Sequence, residues 1–316
     1  MRVRKPARFL RRGGLRALLV IAVALVYLFP LVRIFSMSFT SASELYAAEA
    51  SILPRQFTLE NYVSVFEGNI PIFTFLKNTV AMALLITAIQ LAVSSITAYA
   101  LTGLDLPFQN VIFVLILGGM MIPFESTMLS NYLFVAGHSL RNTYLGLILP
   151  FLLSPAGVFL MRQQFRSIPR EMYEAAAIDG CGPLRLFVRI LLPMSGNALA
   201  SLGILSMVTA WNQYVWPLLV TDKNEMRTVQ VGISMLQGLE FSDYTLVMAG
   251  IVLVLLPCVL IFIVGFRFFV AGLTEGAVND AIAKYGPEKE LAFPDTAYFF
   301  PTIYAATGVK VKTLGD

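Results

Sequence analysis

One segment of the chain places a carboxylate, a run of alanines and a glycine at spacings typical of a short helix and its end. Glu174-Ala175-Ala176 is followed after three residues by Gly180, and Ile190 and Pro193 come further along. A helix with an alanine face can approach another protein closely, because small side chains let two backbones come together. The pattern fits a helix that docks on another protein and transmits a push. An ordinary connecting hairpin of two helices fits the pattern equally well.

Two short helices are predicted to carry these residues. The stretch 167–171 indicates a helix start, since a proline falls in the first turn and an acidic residue follows it near the positive end of the helix dipole. Gly180 should end this helix in a left-handed conformation. Gly182-Pro183 should begin a second helix, Leu184–Leu192, which Pro193 is expected to end.

The composition indicates that lipid surrounds most of the chain. Of 316 residues, 57% are apolar and 13% are charged, and the mean hydropathy is +0.75. A soluble domain has about 25% charged residues, so this chain could not cover a core with a polar surface. Two cysteines and one histidine give no disulfide framework and no metal-ligand cluster. We therefore expect no bound metal and no redox chemistry.

Six segments are long enough to cross a bilayer, which takes about 20 apolar residues. The first could be a secretory signal peptide, but it is longer than the usual signal core of about 7–15 residues, so we keep it as a span. Several of the spans contain proline, which predicts kinks that either serve packing or surround a cavity. The predicted spans are Leu15–Phe35, Asn78–Leu101, Val111–Leu133, Thr143–Phe165, Asn197–Leu219 and Tyr244–Phe269.

The basic residues predict the orientation of these spans. Seven lie within the first 16 residues, and five more flank the link between spans four and five. By the positive-inside rule, both termini and the segment 162–193 are expected in the cytoplasm. The net charge of +4 is thus interpreted as membrane topology rather than as nucleic-acid binding. The predicted location is the inner cell membrane of a prokaryote, with multiple spans.

The sequence indicates the residues of a possible solute path less clearly than it indicates the spans and their orientation. Aromatic rings beside amide groups suit sugars, which offer hydroxyls and apolar ring faces, and an intramembrane carboxylate is often functional. The alternative for Trp211, and for Trp216 nearby, is an anchor at the membrane interface. The candidate path residues are Glu125, Trp211, Asn212, Gln213 and Tyr214.

The motif between spans four and five resembles the EAA signature of permease subunits of ATP-binding-cassette importers. Flanking segments are similar to the carbohydrate branch of that family, which includes the six-span maltose permease subunit. The resemblance covers residues 15 to about 278 and implies an all-α integral membrane protein with six transmembrane helices and a cytoplasmic coupling helix. The flanking segments are Phe75–Thr79, Asn142–Pro150, Trp211–Leu218 and Phe269–Val278.

The resemblance also implies partners and residue roles. The permease would pair with a second, different permease chain as a heterodimer and receive solute from an extracytoplasmic binding protein. Two ATPase subunits would bind ATP and Mg, and this chain would bind no cofactor; it contains no Gly-x4-Gly-Lys-Ser/Thr phosphate loop. Glu174 would make the polar contact to the ATPase, Gly180 the turn. The residues carried over as ATPase-coupling positions are Glu174, Ala175, Ala176, Asp179, Gly180, Ile190 and Pro193.

A stand-alone secondary transporter and a membrane-bound enzyme are the two alternative classes of protein. A stand-alone secondary transporter would need ionisable residues deep in the spans for ion coupling, and only Glu125 comes near. A membrane-bound enzyme is disfavoured because the chain lacks clusters of histidine, cysteine and carboxylate residues. Oligosaccharides, monosaccharides and glycerol phosphates all stay open as solutes.

The sequence predicts three regions. Residues 1–14 form a basic cytoplasmic N-terminus, residues 15–278 the six-span permease domain with its EAA loop at 166–193, and residues 279–316 a polar cytoplasmic tail. The tail resembles an N-terminal segment of the acetyl-CoA synthase subunit of carbon monoxide dehydrogenase complexes. Because it contains no cysteine that could hold a metal cluster, we infer no enzyme activity from it. A fusion or an assembly error is expected over a second function, with a regulatory tail as the alternative.

Overall fold

The structure, a computed structural model, describes residues 7–45, 47, 52–68, 70–104, 106–237, 244–261 and 263, with side chains from residue 18 onward. Within these ranges all regular secondary structure is helical, which confirms the predicted all-α class. The chain divides into two compact units, which are described separately. Unit 1 contains Met1–Thr79 and Thr221–Pro257, and unit 2 contains Val80–Val220 and Cys258–Asp316.

The helices differ widely in length, from single turns to membrane-spanning rods. Short 3₁₀ turns follow α5 and α7, and one π-helical turn, Phe187–Leu191, lies between α10 and α11. In chain order the helices are α1 (Ala7–Ser38), α2 (Ala42–Leu45), α3 (Glu60–Glu67), α4 (Ile72–Gly103), α5 (Gln109–Gly118), α6 (Phe124–Gly137), α7 (Tyr144–Ile148), α8 (Pro155–Ser167), α9 (Arg170–Ile178), α10 (Pro183–Leu186), α11 (Leu192–Met194), α12 (Gly196–Trp211), α13 (Val215–Val220), α14 (Val229–Gln237) and α15 (Tyr244–Ile261).

Three of these helices are long and apolar enough to cross a membrane alone. They are the Leu18–Ser38 part of α1, all of α4, and α15. Three further apolar stretches pass the same test only as bent pairs of helices, so the described residues hold up to six spans. The pairs are Gln109–Met121 with Phe124–Gly137, bent by 92°, Tyr144–Phe151 with Pro155–Ser167, bent by 55°, and Pro183–Met194 with Gly196–Trp211, bent by 78°.

Prolines lie at two of the three bends, and polar groups satisfy the backbone there. Pro123 directly precedes α6, and Pro155 begins α8, where a missing N–H leaves no hydrogen bond unmade. Ser154 caps α8 by accepting the N–H of Gly157, with an N–O distance of 3.0 Å. The carbonyl of Phe151, freed by the break, accepts a hydrogen bond from Gln90 Nε2 of α4 at 2.6 Å. Such partners are what lipid requires of a broken span.

Not every predicted feature of the spans is found. The expected fifth span, Asn197–Leu219, is not one helix, because α12 ends at Trp211 and the chain is not helical at 213–214 before α13 begins. Pro30, by contrast, lies inside α1, which continues through it to Ser38. The far end of the predicted sixth span lies outside the described residues.

Unit 1 is held together by buried amide and hydroxyl groups. Asn61 is 7% exposed and donates to the carbonyls of Ser38 and Thr40, at 2.9 and 2.8 Å, while its Oδ1 accepts from Thr245 Oγ1 at 3.0 Å. The side chain of Asn61 thus ties the end of α1 and the start of α3 to the start of α15. Thr79 Oγ1 similarly accepts the N–H of Val229, which fixes the start of α14 against α4.

Unit 2 contains the core that supports the candidate site. Its buried side chains come from α4, α8, the segment 168–191 and α12. The buried members are Ala98, Tyr99, Met161, Phe165, Ile168, Phe187, Leu191, Ala198 and Leu202.

Candidate coupling site between spans four and five

The first helix of the predicted motif, α9, ends in a hydrogen-bonded glycine turn. It begins at Arg170, directly after Pro169, and ends at Ile178. The N–H of Gly180 donates to the carbonyl of Ala177 at 3.0 Å, and the N–H of Cys181 donates to that of Ala176 at 2.8 Å. This pair of bonds is a Schellman motif, which needs a left-handed residue at its centre. Gly180 has φ of +70°, so the predicted left-handed conformation is confirmed.

The side chains of α9 separate into a supported face and a free face. Ala176 is 5% exposed and packs inside unit 2. Glu174, Ala175, Asp179 and Gly180 are exposed, and Ile178 at the helix end is 86% exposed. The structure thus places Glu174 and Asp179 on the surface, with Gly180 setting the turn between them and the second helix.

The second helix differs from the prediction, which ended it at Pro193. The helical path runs from Pro183 to Met194 and includes a π-helical turn at Phe187–Leu191. Pro193 lies in the first turn of α11, where a proline needs no hydrogen-bond donor. The π-helical turn lies directly before α11, so the helix type changes at Leu192 although the helical path continues. Of the predicted coupling positions here, Ile190 is half-buried and Pro193 is exposed. We call the segment Arg170–Met194 the coupling hairpin.

The coupling hairpin rests on aromatic side chains that the sequence analysis did not single out. Tyr99, Phe165 and Phe187 are buried at its base, with 7%, 1% and 8% exposure. Tyr173, one residue before Glu174, packs against the same cluster. Burial, followed by the nearby Tyr99, raises the pKa of the Tyr173 phenol, so its hydroxyl keeps its proton at neutral pH. No local sequence pattern distinguishes these four aromatic residues from the others at the ends of the spans, so only the contacts in the structure reveal them.

The predicted solute-path residues lie on neighbouring elements of unit 2 but in unlike environments. Glu125 is exposed in the first turn of α6. Trp211 is 2% exposed, at the end of α12. Asn212 is exposed and donates from Nδ2 to the carbonyl of Val208 at 2.9 Å. Gln213 is half-buried, and Tyr214 is exposed.

The helix after these residues connects them to the start of α6. Trp216 of α13 is fully buried and donates from Nε1 to the carbonyl of Gly146 at 3.1 Å. Its ring meets Phe124 edge-on at 5.9 Å between centroids. Phe124 directly precedes Glu125, so α13 links the 212–214 segment to the helix that carries this carboxylate. Both tryptophans lie inside unit 2 rather than at its surface, which argues against the membrane-interface alternative.

The helical spans define a multi-pass membrane protein, with an exposed hairpin between spans four and five. The chain matches the family "Binding-protein-dependent transport system inner membrane component" over residues 16–274. It belongs to that family, and it is therefore a permease of a binding-protein-dependent importer. The family consists of transport components rather than enzymes, so the two alternative classes give way to this one.

Relatives in other organisms agree with this assignment. The chain is 35% identical over 259 residues to the arabinooligosaccharides transport system permease protein AraQ of Halalkalibacterium halodurans, which covers 81% of this chain and 93% of the relative. It is 33% identical over 265 residues to the sn-glycerol-3-phosphate transport system permease protein UgpE of Escherichia coli O1:K1 / APEC, which covers 82% of this chain and 94% of the relative.

A solved structure shares the fold. The crystal structure of a bacterial ABC transporter involved in the import of the acidic polysaccharide alginate contains a chain that superposes with a TM-score of 0.74 at 24% identity. The match covers 85% of this chain and 100% of that chain. This likeness confirms the importer-permease fold.

The end of the sequence matches a different family. Residues 275–316 are similar to the N-terminal domain of the carbon monoxide dehydrogenase alpha subunit. This agrees with the resemblance seen in the sequence. The tail itself lies outside the described residues.

Proposed function

We propose that this permease is driven by separate ATPase subunits, that the coupling hairpin docks on one of them, and that the solute is a sugar or a sugar-like molecule such as a glycerol phosphate. The observation that carries the docking proposal is the exposed Glu174 on α9, beside the glycine turn at Gly180. The buried Ala176 packs the opposite face of this helix against the rest of unit 2. Because packed interiors are hardly compressible, a displacement of the exposed face is transmitted to unit 2.

The other partners follow from the same proposal. A second permease subunit completes the solute path, and an extracytoplasmic binding protein delivers the solute. Two ATPase subunits bind ATP and Mg, and this chain binds neither. The basic residues cluster in the first 16 residues and in and beside the coupling hairpin. By the positive-inside rule, both termini and this hairpin therefore lie in the cytoplasm of a prokaryotic cell.

The names of the relatives support the solute class. One relative is named for arabinooligosaccharide transport and another for sn-glycerol 3-phosphate transport, and both solutes carry hydroxyl groups. In this chain Asn212 and Tyr214 are exposed beside α13 and Glu125 is exposed at the start of α6, and this exposure supports a role for these three in contacting the solute. The burial of Trp211 makes it a support for this segment rather than a contact.

The docking proposal is tested with Glu174→Ala in the full complex. Its matched control is Glu60→Ala, which removes an exposed carboxylate from the first turn of α3 in the segment predicted to face outward. A hydrogen bond to a charged group contributes about 1.5–3 kcal/mol, so Glu174→Ala should lower solute uptake by about 10-fold or more. Uptake is measured in vesicles against a panel of arabinooligosaccharides, maltose and sn-glycerol 3-phosphate.

Stimulation of ATP hydrolysis by the permease is measured in the same vesicles. The proposal predicts that Glu174→Ala lowers both activities and that Glu60→Ala changes neither. If uptake and ATPase stimulation both survive Glu174→Ala unchanged, the assignment of α9 as the docking helix is wrong.

A further inference from the structure

Two tyrosine hydroxyls tie the coupling hairpin to spans two and four. Tyr173 of α9 donates from its hydroxyl to the carbonyl of Phe165, near the end of α8, at 3.0 Å. Tyr99, near the end of α4, donates to the carbonyl of Pro183, the first residue of α10, at 3.0 Å. Each of the two halves of the hairpin therefore has its own hydrogen bond to a helix of a predicted span, α8 for the first half and α4 for the second.

The rings of the same residues form a continuous contact. Tyr99 stacks on Phe187 with centroids 5.1 Å apart and an angle of 27° between the ring planes. Phe187 in turn meets Phe165 edge-on at 6.3 Å and 81°. Buried aromatic pairs of this kind stabilise a fixed geometry beyond the area that they bury. Because packed interiors are hardly compressible, a displacement of Phe187 is passed to the rings that it touches.

Two backbone features accompany this contact. The ring of Tyr99 lies over Gly103, where a β-carbon would collide with it, so the absence of a side chain at 103 leaves room for the ring. Phe187 begins the π-helical turn, a local departure from the α-helix that is frequent at functional sites. Phe187 thus contacts the Tyr99 ring from the first position of this turn.

We propose that Tyr99 and Tyr173 are positioning residues that carry a displacement of the coupling hairpin into α4 and α8. This inference rests on the proposed docking of the hairpin on an ATPase. Tyr173 connects α9, which holds Glu174, to span four, and Tyr99 connects α10 to span two. Loss of either hydroxyl leaves the docking face of the hairpin intact but lets the hairpin move without the span that it should take along.

The test uses Tyr99→Phe, Tyr173→Phe and the double variant in the complete importer, reconstituted in vesicles. Each change removes one hydroxyl and keeps the ring. The matched control is Tyr27→Phe in α1, where the tyrosine is 75% exposed. Three quantities are measured: the ATPase that copurifies, the rate of ATP hydrolysis, and the amount of solute taken up per ATP, using the panel solute with the highest wild-type uptake.

Each single variant should lower solute uptake per ATP by roughly 3- to 10-fold, which corresponds to the loss of one hydrogen bond. ATPase copurification and hydrolysis should stay at the wild-type level, and Tyr27→Phe should leave all three quantities unchanged. The inference is overturned if the double variant keeps the wild-type ratio, and also if copurification and hydrolysis fall in step with uptake, since the tyrosines would then only support the fold. If the wild-type chain retains no ATPase, the proposed function fails first and this inference fails with it.

Discussion

Replacing Gly180 by alanine should loosen the end of α9 without creating any steric clash. A β-carbon at Gly180 would meet no atom within 4 Å, so the cost comes from the backbone alone. With φ of +70°, an alanine pays about 1–2 kcal/mol to adopt the left-handed conformation. That free energy corresponds to roughly a 5- to 30-fold shift of the equilibrium between the formed and the opened turn.

Gly182→Ala is a closely matched control for this change. Gly182 lies two residues further on, has no atom within 4 Å of a β-carbon, and has φ of −66° and ψ of 161°, which any residue adopts. Gly180→Asn is a rescue variant, because asparagine tolerates the left-handed conformation better than alanine. The three variants together separate the effect of φ from that of adding a side chain.

Hydrogen exchange of the backbone amides at 180 and 181 measures the opening of this turn. Both amides are hydrogen-bonded, to Ala177 and Ala176. Gly180→Ala should speed their exchange by roughly 5- to 30-fold and lower solute uptake, while Gly182→Ala should change neither and Gly180→Asn should restore much of the protection. Equal exchange rates in Gly180→Ala and Gly182→Ala would refute the assignment of a conformational role to Gly180.

Two further substitutions test the packing within each unit. Gly146→Ala should lower the apparent melting temperature of the purified protein by several degrees, because its β-carbon would collide with the backbone carbonyl of Leu140. The control Gly119→Ala should leave the melting temperature unchanged, since the nearest atom to its β-carbon is 3.7 Å away. An equal effect of the two substitutions would argue against tight packing at Gly146. Asn61→Ala should also lower the melting temperature, because it removes the three hydrogen bonds of this buried amide, each of which contributes about 0.5–1.5 kcal/mol. An unchanged melting temperature would mean that this buried network contributes little.

The membrane character and the turn at Gly180 could be predicted from the sequence for clear physical reasons. Long apolar stretches have few other stable environments than lipid, and a glycine after an alanine-rich helix is the residue that a left-handed helix end favours. The bends in the spans were less accessible. Proline marks a place where a helix can break, but Pro30 leaves α1 continuous whereas Pro123 and Pro155 lie at bends, and the difference depends on partners such as Gln90.

The supports of the coupling hairpin were not visible in the sequence because they depend on contacts between distant segments. Tyr99 and Pro183 are 84 residues apart in the chain but share a hydrogen bond. The π-helical turn at Phe187–Leu191, whose first residue contacts Tyr99 of α4, likewise has no local pattern of residue types that predicts it. The burial of Trp211 is a third such case, since a tryptophan beside polar residues equally suits an anchor, a binding site or a core.

Uptake by vesicles under a controlled energy supply tests whether this permease is driven by ATP. The chain is reconstituted with its second permease and ATPase, the binding protein is added outside, and uptake of the panel solutes is measured with ATP, without ATP, and with ATP plus an ionophore that removes ion gradients. For an ATP-driven importer, we expect uptake to require both the binding protein and ATP and to be unaffected by the ionophore. Uptake by this chain alone, driven by an ion gradient and independent of ATP, would contradict it.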